Sequence, residues 1–254
     1  LRGALAWMVG EEGRGVRTII EMVAMTRFDC MIGSTAGQRM AVAQAIHHCG
    51  LRSAFGARLV DQPLMRNVLA DLALEQEGAL ALTMRMARAM DSRADEHEDL
   101  LVRFAVPVGK YWICKRTPAH AYEAMECIGG SGVMEDSMMP RLFRESPVNA
   151  IWEGSGNVQC LDVLRAMKRS PKVVDAFLAE VAQARGAHAA LDAHVAALAR
   201  ELHDPAELEF SARDLVGRMA LALQSALLLQ HAPAPVADAF CRSRLDASGH
   251  HHFG

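Results

Sequence analysis

The chain has 254 residues, of which 51% are apolar, and it carries a formal net charge of −3. It is therefore long and apolar enough to bury a substantial core, and it lacks the basic excess typical of nucleic-acid-binding proteins. Helix-forming residues outnumber β-branched ones, no uncharged apolar run approaches about 18 residues, and the six cysteines form no C-x-x-C pair. We therefore expect a cytoplasmic, all-α protein with reduced, buried cysteines and no membrane span.

The first residues are predicted to precede the helical part of the chain. Residues 1–9 are apolar and lead into the sequence GEEGRG, residues 10–15. This pattern indicates the end of a strand from a domain that comes before this chain, followed by a loop. Residues 1–13 are accordingly interpreted as the end of a β-domain and its linker.

Three long helices are predicted from apolar periodicity. They are expected over residues 16–49, 63–91 and 95–128. Gly50 ends the first helix, Pro63 suits the first turn of the second, and Pro107 is a candidate kink in the third. A connector with the sequence LRSAFGARLVDQP, residues 51–63, joins the first two helices.

Shorter helices are predicted after the glycine-rich sequence GGSG of residues 129–132. They are expected over residues 139–145, 157–169, 171–202 and 205–230, with a last one after Pro233 and Pro235. Three antiparallel helices of about 30 residues predict an up-and-down helical bundle, which we assign to residues 14–169. Residues 170–254 form an additional helical region.

The sequence IWEGSGNVQC, residues 151–160, contains the first candidate site residue, Glu153. Near a helix start, an acidic residue is favoured by the helix dipole alone. Alternatively, Glu153 is a general base in an apolar pocket beside Ile151 and Trp152, where the following glycines let a flat ligand approach. The residue types alone leave both interpretations open.

Two further segments are candidates for binding phosphate or nucleotide groups. In the connector, Arg52 suits a phosphate and Phe55 an adenine ring, although a solvated basic turn with Phe55 in the core fits equally. The IGGSG sequence, residues 128–132, is either a helix stop or a backbone approach to a phosphate or ribose. No strand is predicted before it, so it is not the dinucleotide fingerprint.

The histidines do not predict a metal site. His47 and His48 fall at a helix end, where a protonated imidazole suits the helix dipole. A second group, His250 to His252, is close to the last residue. Neither group has further ligands at metal-binding spacing, so no metal is expected.

Four motifs together resemble the C-terminal half of the acyl-CoA dehydrogenase superfamily, over about residues 9–168. In order, they are GEEGRG (10–15), RSAFG (52–56), ECIGGSG (126–132) and IWEGSGNVQ (151–159). The segments MTRFDC (25–30) and RESPVNAIWEGSGN (144–157) are similar to the AidB-like branch of that superfamily. The resemblance implies that a helical domain and a middle β-domain precede this chain in the complete protein.

The resemblance also implies a reaction, the α,β-dehydrogenation of an acyl-CoA thioester by a FAD-dependent oxidoreductase. Glu153 occupies the position of the family's base, which takes the α-proton while FAD receives the β-hydrogen as hydride. Arg27, Trp152 and Gly154 fall where the family binds the acyl-CoA. Ser155 and Asn157 fall where it contacts the flavin.

Other positions match the family's contacts to the FAD of a neighbouring subunit, which implies a homodimer or homotetramer. These cofactor-binding candidates are Arg52, Phe55, Gln62, Gly129 and Gly130. Several positions depart from the general pattern. Gln62 comes one residue early, Glu126 replaces a glutamine, and Ala24 replaces an acidic partner of Arg27.

Two alternatives to a dehydrogenase follow from the same resemblance. Some AidB-like flavoproteins are linked to the alkylation response and bind DNA through a basic C-terminal region. Here residues 168–254 contain nine Lys and Arg against ten Asp and Glu, which argues against nucleic acid as a partner. The other alternative is an oligomerising helical module, because this chain without its preceding domains is expected to hold FAD poorly and to be inactive alone.

Overall fold

The computed structural model describes residues 2–202 and 208–246, and these residues form a helical bundle with one short hairpin. The long helices are α1 (Gly15–Leu51), α2 (Pro63–Asp91) and α3 (Glu96–Ile128). The shorter ones are α4 (Gly130–Val133), α5 (Met139–Glu145), α6 (Gly156–Arg169), α7 (Lys172–Ala182), α8 (Ala189–Leu202), α9 (Leu208–His231) and α10 (Ala234–Cys241). The predicted all-α bundle is confirmed.

The starts and stops of the long helices follow from local chemistry. Pro63 occupies the first turn of α2, where its missing N–H costs nothing. Asp95 caps α3 by accepting a 3.1 Å hydrogen bond from the backbone N–H of Glu98. Gly129 ends α3 with φ +74°, a conformation that favours glycine. These signals explain why the predicted bounds of α2 and α3 lie within one residue of the observed ones. Helix α1 continues past the predicted stop at Gly50 and ends at Leu51.

Helix α3 is the centre of the bundle and packs against both α1 and α2. It continues through Pro107 and Pro118. At Gly109 an added Cβ would lie 2.4 Å from Cε of Met31 in α1 and 3.4 Å from Cδ2 of Leu82 in α2. Gly109 therefore lets the three long helices approach closely. A larger side chain at this position would collide with Met31 unless the helices moved apart.

The C-terminal helices pack on the same core rather than on one of their own. The ring of Phe177 in α7 lies 5.6 Å from that of Phe104 in α3, and both side chains are buried. Arg85 of α2 joins Glu98 of α3 and Glu180 of α7 in a largely buried ion-pair network. Residues on both sides of position 170 thus share one hydrophobic core.

One predicted element differs from the structure. The predicted single helix over residues 171–202 is two helices, because Gly186 turns the chain with φ +80° and its N–H donates to the carboxylate of Asp192.

The segments outside the helices add two observations. The connector contains a hairpin, β1 (Ser53–Ala54) paired with β2 (Ala57–Arg58). Residues 2–9 form no strand in the described structure, and the interpretation of residues 1–13 as the end of a β-domain and its linker remains a prediction. The predicted helix start at Pro205 and the histidines 250–252 lie outside the described residues.

Candidate functional site

The turn of residues 151–154, just before α6, holds Glu153 in an unusual backbone conformation. Glu153 has φ +56° and Gly154 has φ +97°. A left-handed conformation costs a non-glycine residue free energy and persists only where the surroundings enforce it, commonly at functional sites. At Gly154 an added Cβ would lie 2.7 Å from Nε2 of Gln159 and 2.8 Å from Cγ1 of Val158. The second position therefore requires glycine for both conformation and space.

Side chains from three helices enforce this turn by donating hydrogen bonds to its carbonyls. Lys110 of α3 donates from Nζ to the carbonyls of Trp152 and Gly154, both at 2.7 Å. Gln159 of α6 donates from Nε2 to the carbonyls of Glu153 (3.0 Å) and Gly154 (2.9 Å). Arg27 of α1 donates from Nε to the carbonyl of Glu153 at 3.3 Å. Donors on α1, α3 and α6 thus hold the backbone of the turn that carries Glu153.

Arg27 is also an ion-pair partner. Its Nη1 lies 2.6 Å from Oδ2 of Asp162 in α6, and Arg103 of α3 binds the same carboxylate at 3.0 Å. Although burial opposes ionisation, the hydrogen bonds and charges of Arg103 and Arg27 hold the pKa of Asp162 below its usual value. The acidic partner missing at Ala24 is therefore supplied from α6, and the predicted substrate contact of Arg27 remains a prediction.

The outer face of the turn is apolar. Ile151 and Trp152 are exposed, and Nε1 of Trp152 donates to Oδ1 of Asn149 at 3.1 Å. Asn149 in turn donates to Oγ of Ser34 in α1 at 3.3 Å. Glu153 is half-buried, and the apolar pocket expected around it remains a prediction.

Two further predicted site residues lie at the start of α6. Ser155 is the N-cap residue, but its hydroxyl makes no capping hydrogen bond. Asn157 accepts a 2.8 Å hydrogen bond at Oδ1 from Nε of Arg213 in α9. Both residues are exposed, so the structure places Ser155 and Asn157 beside Glu153 with polar groups facing outward.

The hairpin after α1 presents Phe55 to solvent. Phe55 (φ +53°) and Gly56 (φ +83°) form the two-residue loop between the paired residues Ala54 and Ala57. Positive φ at both loop positions suits right-handed strand twist, but normally calls for Asn or Gly at the first. The Phe55 side chain is 98% exposed, so its alternative placement in the core is wrong. Gln62 braces the hairpin by donating to the carbonyl of Ala54 at 2.9 Å.

Arg52 and the glycine-rich segment line one groove. This groove has a volume of about 440 Å³, and Ile128 and Ser131 face Arg52 across it. His47 and His48 of α1 contribute to the same wall. The structure therefore brings two predicted binding segments together, although they are more than seventy residues apart in sequence.

The glycines of that segment differ in what the chain itself requires. Gly129 has φ +74°, and an added Cβ at Gly132 would lie 2.7 Å from the carbonyl oxygen of Met125. At Gly130 an added Cβ would meet nothing within 4 Å, and its φ is not positive. Of these three glycines, Gly130 is therefore the one that neither the backbone conformation nor packing within the described residues requires.

The two groups of site residues are far apart within one chain. Arg27 touches the Glu153 turn, whereas Arg52 follows the last residue of the same helix. At 1.5 Å per residue, the 25 positions from Arg27 to Arg52 span about 37 Å along α1. Glu153 and Arg52 therefore belong to separate sites, one beside Arg27 in the first half of α1 and the other just after its last residue.

Sequence reasoning missed several residues that support the site. Lys110, Gln159 and Asp162 hold the turn and Arg27, and Asn149 holds Trp152. One signal was available, because Lys110 is the single charged residue in the apolar stretch FAVPVGKYWIC, residues 104–114. Gln159 and Asp162 did not stand out in this way, because α6 contains several other polar residues.

Other classes of site are not formed by the described residues. No group of three or more His, Cys, Asp or Glu side chains in residues 2–202 and 208–246 is placed to hold a metal ion. Over the same ranges, no helix is long and apolar enough to cross a bilayer. All six cysteines are buried.

The sequence and fold are similar to those of known proteins. A family profile described as acyl-CoA dehydrogenase, C-terminal domain, matches residues 13–168. AidB of Escherichia coli (strain K12) is 45% identical over 97% of this chain and 45% of its own length. Acyl-CoA dehydrogenase family member 11 of Caenorhabditis elegans is 33% identical over 73% of this chain and 31% of its own length.

A solved structure agrees with these matches. The crystal structure of Caenorhabditis elegans ACDH-11 in complex with C11-CoA superposes with a TM-score of 0.85 and 25% identity, covering 94% of this chain and 45% of that one. This chain thus spans less than half the length of these relatives. The region of similarity includes the Glu153 turn, the hairpin and the glycine-rich segment.

Proposed function

This chain belongs to the acyl-CoA dehydrogenase family, and we propose that it supplies the catalytic base and part of the cofactor surface of a FAD-dependent enzyme acting on an acyl-CoA thioester. The observation that carries the proposal is the Glu153 turn. The left-handed backbone conformation of Glu153 costs the folded state free energy, and Lys110, Gln159 and Arg27 maintain it through hydrogen bonds. Such a turn is understandable if the position of the Glu153 carboxylate matters.

In the proposed reaction, Glu153 removes a proton from the carbon next to the thioester carbonyl. That proton is weakly acidic, so the base must be held close to it and shielded from water. Gly154, next to Glu153, would contact the acyl-CoA, and the exposed side chains of Ile151 and Trp152 would provide an apolar wall. The hydrogen on the next carbon leaves as hydride, for which bound FAD is the acceptor.

The residues that would hold FAD fit such a group in two places. Near Glu153, the uncapped hydroxyl of Ser155 and the amide of Asn157 face outward at the start of α6. At the far end of α1, the exposed ring of Phe55 suits stacking on an adenine, Arg52 suits a phosphate, and the open space at Gly130 suits close backbone approach.

The separation of these two places supports a shared cofactor and therefore a homo-oligomer. Arg27 and Arg52 are about 37 Å apart along α1, so the two places are well separated in one chain. One FAD would thus contact the Glu153 side of one chain and the Arg52, Phe55, Gln62, Gly129 and Gly130 side of another. We propose the cytoplasm as the compartment, because six buried cysteines suit a reducing environment.

DNA binding is the weaker candidate function. The net charge of −3 and the near balance of charges after residue 168 provide no basic surface of the kind that binds phosphates. The structure adds that Arg218 and Arg242, two of the basic residues in this region, are paired with acidic neighbours. We therefore propose the dehydrogenase function alone.

The proposed function is tested in the natural full-length protein that contains this chain. The protein is mixed anaerobically with butanoyl-, octanoyl- and undecanoyl-CoA, and loss of the flavin absorbance band is followed. We expect reduction by at least one of them, and near-complete loss of reduction in Glu153→Gln with retained flavin. Glu145→Gln, at an exposed glutamate outside the site, is the control. Equal reduction by the wild type and Glu153→Gln would refute the proposal.

A further inference from the structure

Lys110 is a charged residue in the interior of the bundle. It lies in the middle of α3, is 1% exposed, and is one of the largest fully buried side chains among the described residues. A buried ammonium group loses its hydration and needs compensating partners. Burial accordingly lowers the pKa of Lys110, although the nearby Cys114, Cys30 and Glu153 oppose this effect.

The compensation comes from the turn that carries Glu153. Both hydrogen bonds from Nζ go to backbone carbonyls, those of Trp152 and Gly154, each at 2.7 Å. These two residues flank Glu153 on either side. A single ammonium group therefore clamps the residue before and the residue after the proposed base, and the carbonyl between them is left to Gln159 and Arg27.

The clamp matters because the turn is strained. Two consecutive residues with positive φ, Glu153 and Gly154, point the three carbonyls of residues 152–154 towards the bundle interior, where their donors lie. Without a donor at Nζ, the Trp152 carbonyl loses its hydrogen bond from Lys110 and the Gly154 carbonyl keeps only the one from Gln159. Glu153 then loses part of the constraint that opposes its return to an ordinary backbone conformation.

We propose that Lys110 is a positioning residue, which fixes the Glu153 carboxylate for proton removal by clamping the two flanking carbonyls. The inference rests on the proposed dehydrogenase function, and it adds a residue from α3 that does not touch the substrate. The other groups near the ammonium group are Arg27, Cys30, Cys114 and Glu153, and only the backbone carbonyls of the turn accept hydrogen bonds from it in the described structure.

The test uses Lys110→Met in the natural full-length protein loaded with FAD. Methionine keeps the length and volume of the side chain but removes the charge and all donors. Because a misplacement of about 1 Å costs about 100-fold in rate, we expect the flavin reduction rate constant with an acyl-CoA to fall about 100-fold. The dissociation constant of the acyl-CoA and the flavin content are expected to stay within about threefold of the wild type.

A double-mutant comparison separates positioning from general damage. If Lys110 acts through Glu153, Lys110→Met has no further effect on the residual rate of Glu153→Gln. If Lys110→Met does not fold, Lys110→Gln replaces it, since its neutral amide still donates to one carbonyl and is expected to give an intermediate rate. Lys168→Met, at an exposed lysine of α6, is the matched control and is expected to behave as wild type.

The outcomes distinguish this inference from the proposed function. A wild-type flavin reduction rate in Lys110→Met would overturn the positioning role. It would also be overturned if Lys110→Met lowered the rate of Glu153→Gln by the same factor as it lowers the wild-type rate. A loss of acyl-CoA affinity or flavin content that accounts for the lower rate would also overturn it. A wild-type rate in Glu153→Gln would instead refute the proposed function on which the inference rests.

Discussion

Replacing Gly154 by alanine tests whether the chain itself enforces the turn. Alanine at φ +97° adds about 1–2 kcal/mol of backbone strain. The new Cβ would lie 2.7 Å from Nε2 of Gln159 and 2.8 Å from Cγ1 of Val158, and relieving these contacts adds about 1–3 kcal/mol. The lower entropy of the unfolded alanine chain offsets about 0.4–1 kcal/mol. We expect Gly154→Ala to lower the free energy of unfolding by about 1–5 kcal/mol.

The assay is urea-induced unfolding followed by far-UV circular dichroism. One transition is expected, because residues before and after position 170 share a core. Gly130→Ala is the matched control, since an added Cβ there meets nothing within 4 Å and its φ is not positive. Its free energy of unfolding should rise by about 0.4–1 kcal/mol, because the substitution acts only by lowering the entropy of the unfolded chain. Equal effects of the two substitutions would refute the argument that Gly154 is required by the turn.

Three further predictions concern single side chains. Phe55→Ala should leave the unfolding midpoint unchanged, because the ring is 98% exposed, but should weaken FAD retention in the full-length protein. Arg85→Met should cost about 3–5 kcal/mol by leaving buried carboxylates unpaired, whereas Arg93→Met in an exposed pair should cost less than about 1 kcal/mol, as measured by urea unfolding. The pKa of Glu180 is lowered, because the charge of and hydrogen bonds from Arg85 outweigh burial. Its stabilisation is therefore present above the ordinary glutamate pKa and is lost as pH falls through the lower folded value, so acid unfolding should be less steep in Glu180→Gln.

Much of the bundle follows from short-range signals in the sequence. Pro63, Asp95 and Gly129 act on their own backbone, so they fix where long helices begin or end without reference to distant residues. Gly186 was harder to interpret, because a glycine alone does not distinguish a tolerated helix residue from a break. Its left-handed conformation depends on a hydrogen bond from its N–H to Asp192.

The site was predicted only where its residues lie in one motif. The resemblance placed Glu153, Gly154 and Ser155 together because they are neighbours in sequence. The clamp by Lys110 and the pairing of Arg27 with Asp162 join residues that are more than forty positions apart. Such contacts depend on how α1, α3 and α6 cross, and the sequence periodicity of each helix does not specify the crossing.

The exposure of Phe55 is a further feature that the sequence did not predict. A phenylalanine between helices is usually buried, so the core placement was a reasonable alternative. The hairpin turns this side chain away from the bundle, and its left-handed backbone depends on pairing between Ser53–Ala54 and Ala57–Arg58.

The central claim, that Glu153 removes the substrate α-proton, is tested most directly by hydrogen exchange. The natural full-length protein is incubated anaerobically in D₂O with an acyl-CoA, and deuterium at the α-carbon is measured by mass spectrometry. We predict incorporation catalysed by the wild type and by Glu145→Gln, and none above background with Glu153→Gln that retains its flavin. Incorporation by Glu153→Gln at the wild-type rate would contradict the claim.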